Sequence, residues 1–376
     1  MAHFPEEPLF QELVLKSFRT YYKAQRKPAR SMHAVVDPAG WSPEELHDVT
    51  TWSYRLTASD RGQIKAAVDH IRKTGIAPEH VTRANFILGT LADIMCEVRL
   101  ELLDGRGVVM IQNFPIDELD RLGQVIGYLG LGSHLGRPMS QNREGHILGH
   151  IKNLGGDYTD PMTRGYLTSA ELRFHADGCD YVGLLCINAS RAGGASRVVS
   201  SVTVYNRILE RRPDIIQVLE QDFYRSHKGD INPGEIPWFK QPMFSFTDGY
   251  FNAIGPGSAI EKAQGLPGVP PLTPLQKEAI EIYRQTIEEC AADIPFTCGD
   301  IQFLNNYVTL HSRRAFEDWP DPARKRHLLR LWLSDASGRP IPAAQRAGYE
   351  GKGILLAGAK LNAPLDVQQL VEGRAV

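Results

Sequence analysis

The chain has few cysteines, and they are not arranged to staple a fold or bind zinc. Cys96, Cys179, Cys186, Cys290 and Cys298 contain no Cys-x-x-Cys pair, and their number is odd. This argues against both a disulfide framework and a zinc knuckle and fits reduced, packed thiols. Charge of one sign is lacking too: 42 Lys and Arg against 44 Asp and Glu leave a formal charge of -2, with an isoelectric point near 6.6. No overall positive field exists to draw the chain onto nucleic acid or an anionic membrane, so a small molecule is the expected partner. Association into a homo-oligomer is left open. No run of ~18 apolar residues occurs. The N-terminal MAHFPEEPLFQELVLKSF places three acids before its first lysine and has no continuous apolar stretch of the signal-peptide kind. A cytoplasmic protein is expected.

What is present is ordinary globular material. Hydrophobic residues make up 42% and charged residues 23% of 376 residues, enough for one large domain or two smaller ones. The first hundred residues read mostly as helices. One carries Ile64, Val68 and Ile71 at helical spacing, with Ser59 as its expected N-cap and Gly75 as its stop. A second carries Leu88, Leu91, Met95, Val98 and Leu102 and ends at the Asp104-Gly105 turn, ahead of a strand at Val108 to Ile111. From about Phe174 the pattern changes to short apolar runs bounded by turn residues, including an Asp248-Gly249 hairpin signal. One long helix interrupts them from Thr273, opened by a capping box with Pro274 at N1 and Gln276 at N3. The expectation is an α+β chain with a mainly β core, a barrel or sandwich with helices packed outside. Residues 1–104 form its helical N-terminal extension, 105–345 the main domain and 346–376 a tail. The Gly- and Pro-rich stretch 233–271 is the candidate loop or lid, with the hairpin as a candidate feature within it.

The chemistry centres on Phe174-His175-Ala176-Asp177. In a strand, residues i and i+2 share a face about 6.5 Å apart, so a histidine and a carboxylate at that spacing can converge on one ion. Two imidazoles and one carboxylate on one face of an octahedron suit iron(II) and leave three positions open. The third ligand expected is His311, which emerges from the turn-strand segment that begins Gly299-Asp300-Ile301-Gln302-Phe303-Leu304-Asn305-Asn306. Fifteen residues later comes Arg326-His327-Leu328-Leu329-Arg330-Leu331-Trp332-Leu333, a strand apolar on both faces. Period two places Arg326, Leu328, Arg330 and Trp332 on one face and His327 on the other. Two guanidiniums in such a strand need anionic partners. A dicarboxylate could satisfy one of them bidentately, and a surface ion pair is the other reading.

These residues resemble the taurine dioxygenase and 2,4-dichlorophenoxyacetate dioxygenase family and its clavaminate synthase-like relatives. The resemblance covers roughly residues 105 to 345 and rests on HAD at 175–177, GGAS at 193–196, GDIQFLNNYVTLHSRRAFED at 299–318 and RHLLRLWL at 326–333. It implies a double-stranded β-helix of the jelly-roll, cupin-like type. It also implies an iron(II)- and 2-oxoglutarate-dependent dioxygenase that consumes O2, releases succinate and CO2, and oxidises, most simply hydroxylates, a C–H bond. Carried over by position, His175, Asp177 and His311 are the iron ligands, and Arg326 and Ser196 hold the distal carboxylate of 2-oxoglutarate. Arg330 matches a position that contacts an acidic substrate in some relatives, and a purely structural role is the alternative. Glu171 stands where a relative can place a substrate-contacting polar group, which with Arg330 would suit an amino-acid-like zwitterion. A solvated acid is the plainer reading of Glu171. The carboxylate at Asp177 argues against halide transfer. Two other classes remain in view: a cupin-type metalloenzyme that uses no keto acid, which the pairing of Arg326 with Ser196 opposes, and a non-catalytic small-molecule sensor, which the complete ligand set opposes.

Overall fold

A computed structural model describes residues 26–156, 168–343, 345, 353–355 and 358–366. The first 25 residues of the expected N-terminal extension and most of the expected tail lie outside the described residues.

The strands in chain order begin with β1 (Ser53–Arg55), β2 (Val108–Gln112), β3 (Arg137–Pro138), β4 (Ser140–Gln141), β5 (Leu148–Lys152) and β6 (Leu172–His175). They continue with β7 (Tyr181–Asn188), β8 (Ala192–Gly193), β9 (Ser196–Ser200), β10 (Phe223–Ser226), β11 (Trp238–Gln241), β12 (Phe244–Thr247) and β13 (Tyr250–Ala253). The last are β14 (Ala292–Ile294), β15 (Ile301–Asn305), β16 (Thr309–Arg313), β17 (Phe316–Glu317), β18 (His327–Ser334) and β19 (Gly353–Ile354). The larger sheet runs β1-β2-β15-β7-β18-β3, with β5 also on β18, and a four-stranded sheet runs β14-β9-β16-β6.

Strand alternation decides what each sheet faces. On one side of the large sheet Val109, Ile111, Leu185, Phe303, Leu329 and Leu331 join a core completed by three helices: α1 (Ala58–Thr74), α2 (Leu91–Asp104) and α3 (Arg121–Ser133). On the other side Val108, Met110, Val182, Leu304 and Trp332 meet Val198, Ala292 and Ile294 of the second sheet. The second sheet turns Phe174, Val199 and Leu310 toward α4 (Ser201–Arg211), α5 (Pro213–Leu219) and α7 (Pro274–Glu289). The chain is thus a mixed α/β fold in which two sheets share an apolar interior between helical layers.

Local sequence explains the helix ends. α1 takes Thr57 as its N-cap, two residues before the Ser59 expected from the sequence, because Asp60 completes a reciprocal capping box with Thr57. It stops at Gly75, whose φ of 69° is the left-handed value a glycine takes without strain. α2 begins only at Leu91, leaving Leu88 buried ahead of it. α7 opens with the expected Thr273, Pro274 and Gln276 box. Asp248 and Gly249, both at positive φ, form the tight turn that joins β12 to β13 in the expected hairpin.

Two expectations are corrected. Much of residues 26–57 is irregular, with 3-10 turns at Pro43–Leu46 and Val49–Thr51, and Ser53–Arg55 joins the large sheet parallel to β2. Trp41 and Trp52 are anchored in the core there, and prolines interrupt helical hydrogen bonding. The stretch 233–271 does carry the hairpin, as β12–β13, but it is no continuous loop around it: it also holds β11 and the short helix α6 (Ala259–Ala263). Phe244 and Phe251 tie the hairpin to Tyr205 and Tyr283 through ring contacts. No helix among the described residues is long and apolar enough to cross a membrane.

Candidate metal centre

Strands β6 and β16 pair antiparallel with His175 directly opposite His311, and a register shift follows between His311 and Arg313. Their imidazole centroids are 4.4 Å apart. Asp177 is placed differently from the sequence expectation. β6 ends at His175, so the carboxylate reaches the histidines from the turn after the strand. That turn is held by Asn306, whose Oδ1 accepts the Asp177 N–H at 3.0 Å while its Nδ2 donates to the Cys179 carbonyl at 3.1 Å. One Asp177 oxygen lies 3.8 Å from His311 Nε2. A ligand atom from each of His175, Asp177 and His311 lies within 4.8 Å of the others.

The protonation states suit a cation. Burial, joined by the neighbouring His175, pushes the His311 imidazole down to about 3, against the pull of Asp177. Burial likewise lowers His175, opposed by Asp177 and reinforced by the charges of Lys228 and Arg330. Burial works to raise the Asp177 carboxyl, but the Arg330 guanidinium foremost outweighs it and holds it below its usual range. Two neutral imidazoles and one carboxylate result. His175 Nδ1 is 2.9 Å from the Arg173 carbonyl, which fixes that nitrogen as the proton carrier and leaves the Nε2 lone pair for a metal.

Around this triad lies a cavity of about 900 Å³ that also reaches Ser196, Arg326 and Arg330. Arg326 sits just before β18 and is buried, with its guanidinium 5.1 Å from the Phe316 ring. Its Nη1 has no hydrogen-bond partner among the described residues, and burial lowers its pKa to about 10. A buried cation with an unsatisfied donor facing a cavity is a ready site for an anion. Ser196 donates its hydroxyl to Gln302 Oε1 at 2.7 Å.

Arg330 is engaged at the metal centre, with Nη1 3.2 Å from Asp177 Oδ1 and Nε donating to Gln141 Oε1 at 2.8 Å. Gln141 in turn donates to the carbonyls of Arg330 and Ile147. Glu171 is not brought into the cavity. It is half exposed on the far side of the strand end, 3.6 Å from Arg197 and 3.8 Å from Arg314. His327 does face away from Arg326, into a buried pair with His150.

The sequence reading overlooked Asn306 as a brace, although it stood in the quoted run before His311. It also overlooked Gln141, for which no local pattern exists, and the basic residues of β10, β11 and α6 that line the cavity.

The profile described as the taurine catabolism dioxygenase TauD, TfdA family matches residues 74–332. The chain belongs to the TauD/TfdA family. Among its relatives, FR-33289 synthase of Streptomyces rubellomurinus is 27% identical over 328 residues, 82% of this chain and 93% of that protein. The taurine hydroxylase-like protein SAT17 of Stachybotrys chartarum is 28% identical over 312 residues, 80% of this chain and 79% of its own. Solved structures with a similar fold include an asparagine oxygenase bound to Fe(II), hydroxyasparagine and succinate, with a TM-score of 0.58, 17% identity and coverage of 81% and 99%. The non-heme iron oxygenase OrfP with Fe and α-ketoglutaric acid has a TM-score of 0.58, 14% identity and coverage of 81% and 100%. As a TauD/TfdA-family dioxygenase the protein is an oxidoreductase whose cofactor is Fe(II) and whose cosubstrates are 2-oxoglutarate and O2.

Proposed function

We propose that the protein oxidises, most simply hydroxylates, an unactivated C–H bond of a small polar or acidic substrate, with release of succinate and CO2. The observation that carries this reading is the convergence of His175, Asp177 and His311 on a cavity that also holds the Arg326 guanidinium, whose Nη1 has no hydrogen-bond partner among the described residues. The donor set fits iron(II): two neutral imidazoles and a carboxylate form a facial triad with positions left for a chelating keto acid and dioxygen. When bound, iron and its keto acid supply the oxidising chemistry. The chain positions and shields them. His175 and His311 present their lone pairs, Asn306 and Arg330 orient Asp177, and Arg326 with Ser196 anchors the distal carboxylate of 2-oxoglutarate. Leu184, Leu328 and Trp332 line the same cavity and exclude water.

In this reading the two facing sheets are a double-stranded β-helix of the jelly-roll kind, spanning 105–345. The described part of the N-terminal extension, residues 26–104, packs against it, and residues from 233–271 line the cavity. Arg330 acts on Asp177 before it acts on any substrate. Glu171 stays outside the substrate contacts unless its surface ion pairs break.

The test is anaerobic binding of iron(II) and 2-oxoglutarate, followed by the visible charge-transfer band of the chelated keto acid. The expected result is a band in the wild type, none in His175→Ala, and a need for much more 2-oxoglutarate in Arg326→Ala. Absence of the band in folded, iron-loaded wild type would overturn the reading.

A further inference from the structure

Strand β15 turns one polar side chain, Gln302, into the apolar space between the two sheets. Along this strand Ile301 and Phe303 enter the helix-covered core, while Leu304, on the same side as Gln302, meets Val198 and Ala292 of the second sheet. The register partners of Gln302 are Met110 on β2 and Leu184 on β7, both apolar. Gln302 is buried, and its Oε1 accepts the Ser196 hydroxyl at 2.7 Å. Its Nε2 has no hydrogen-bond partner among the described residues. A buried N–H without an acceptor costs free energy, and such groups are rare enough to call for a reason.

Ser196 connects that amide to the cavity. It lines the cavity, as Arg326 does, and the glycine turn before it lies against the guanidinium: a Cβ on Gly194 would come 3.2 Å from Arg326 Nε. The backbone of Ser196 is committed to the sheet, paired with Ile294 and Arg313, so its hydroxyl is what it has to offer a ligand. A serine hydroxyl carries one proton. That proton is donated to Gln302, which leaves only lone pairs on the Ser196 oxygen. A carboxylate also presents only lone pairs. Ser196 can hold a carboxylate beside Arg326 only once its proton is released from Gln302.

We propose that Gln302 is a positioning residue for the cosubstrate: its carboxamide turns over to donate Nε2–H to Ser196 Oγ, which directs the Ser196 proton to the distal carboxylate of 2-oxoglutarate. This rests on the reading of Arg326 and Ser196 as the anchor of that carboxylate. Turning exchanges the two ends of the amide within the same volume, so Ser196 keeps its partner. The N–H gains the acceptor it lacks. The oxygen takes the unpartnered place, where an acceptor is tolerated better than a donor. In the resulting series, amide to hydroxyl to carboxylate, each bond polarises the next. An apolar side chain at position 302 would leave the hydroxyl without a donor behind it and free to rotate.

The experiment is a double-mutant cycle, read as 2-oxoglutarate affinity by anaerobic calorimetry on the iron(II)-loaded protein. S196A should bind 2-oxoglutarate about tenfold or more weakly, the scale of one lost hydrogen bond to a charged group. Q302L should weaken binding about fivefold. In the S196A background the same change should cost less than about twofold, because Gln302 acts only through the hydroxyl. S196T, which keeps the hydroxyl, should restore both the affinity and the response to Q302L. Q302M, closer in shape to glutamine, takes the place of Q302L if that variant does not fold. An equal cost of Q302L with and without the Ser196 hydroxyl, or tighter binding in Q302L than in the wild type, would overturn the proposal and leave the anchor reading intact. Wild-type affinity in S196A would instead remove Ser196 from the anchor, and the proposal with it.

Discussion

The guanidinium of Arg330 lies 3.2 Å and 3.4 Å from the two carboxylate oxygens of Asp177, so the carboxylate is oriented before any metal arrives. Partners that orient a metal ligand are commonly worth ~10–100-fold in metal affinity. Arg330→Gln should therefore weaken iron(II) binding by about that factor, measured by competition with a chromophoric chelator. Unchanged affinity would show that Asn306 and the fold alone set the carboxylate.

Arg326 makes the opposite prediction for stability. Its buried guanidinium leaves Nη1 without a partner among the described residues, which costs free energy until an anion arrives. Arg326→Met should leave the thermal midpoint of the cosubstrate-free protein unchanged or raise it. The same variant should bind 2-oxoglutarate more weakly by roughly 2 kcal/mol or more, about thirtyfold. Calorimetry and thermal unfolding with and without 2-oxoglutarate check both halves.

The His150–His327 pair sets a pH dependence. His150 Nε2 is 2.8 Å from the Pro364 carbonyl, which can only accept, so His150 Nδ1 accepts in turn from His327 Nε2–H at 2.9 Å. Both rings are neutral. Burial lowers His150 to about 4 and His327 to about 2. Because both folded values lie below the ordinary value of about 6.5, the unfolded chain takes up more protons, and stability falls as pH drops through that window. The loss should be roughly 2 kcal/mol per histidine between about pH 6.5 and pH 5. Urea unfolding across this range should show a shallower decline in His150→Gln/His327→Gln than in the wild type.

Two glycines in neighbouring helices should respond oppositely to alanine. A Cβ at Gly130 in α3 would sit 2.4 Å from the buried Phe86 ring, whereas at Gly62 in α1 nothing lies within 4 Å. Alanine gains up to ~1 kcal/mol of helix propensity at either site. Overpacking at Gly130 costs roughly 1–3 kcal/mol and wins. Thermal unfolding should show Gly62→Ala stabilised and Gly130→Ala destabilised.

What the sequence by itself determined is what local spacing can carry. The Thr273 capping box, the Asp248-Gly249 turn and the Gly75 stop each depend on atoms a few residues apart, and each stands where the pattern put it. The alternation in β18 likewise turned Arg326 and Arg330 toward one cavity and His327 away from it. The structure brings the two residues of the His-x-Asp motif beside His311, but not by strand geometry, since the strand ends at His175 and Asn306 completes the turn. Tertiary structure alone decided the rest. Arg330 meets Asp177 across 153 residues, and Gln141 meets Arg330 across 189. Glu171, four residues from His175, is held at the surface by Arg197 and Arg314. Arg225, Lys228, Lys240 and Lys262 line the cavity only because a hairpin and a short helix fold onto it. Such contacts depend on how sheets and helices close over one another, and no residue's immediate neighbours encode that closure.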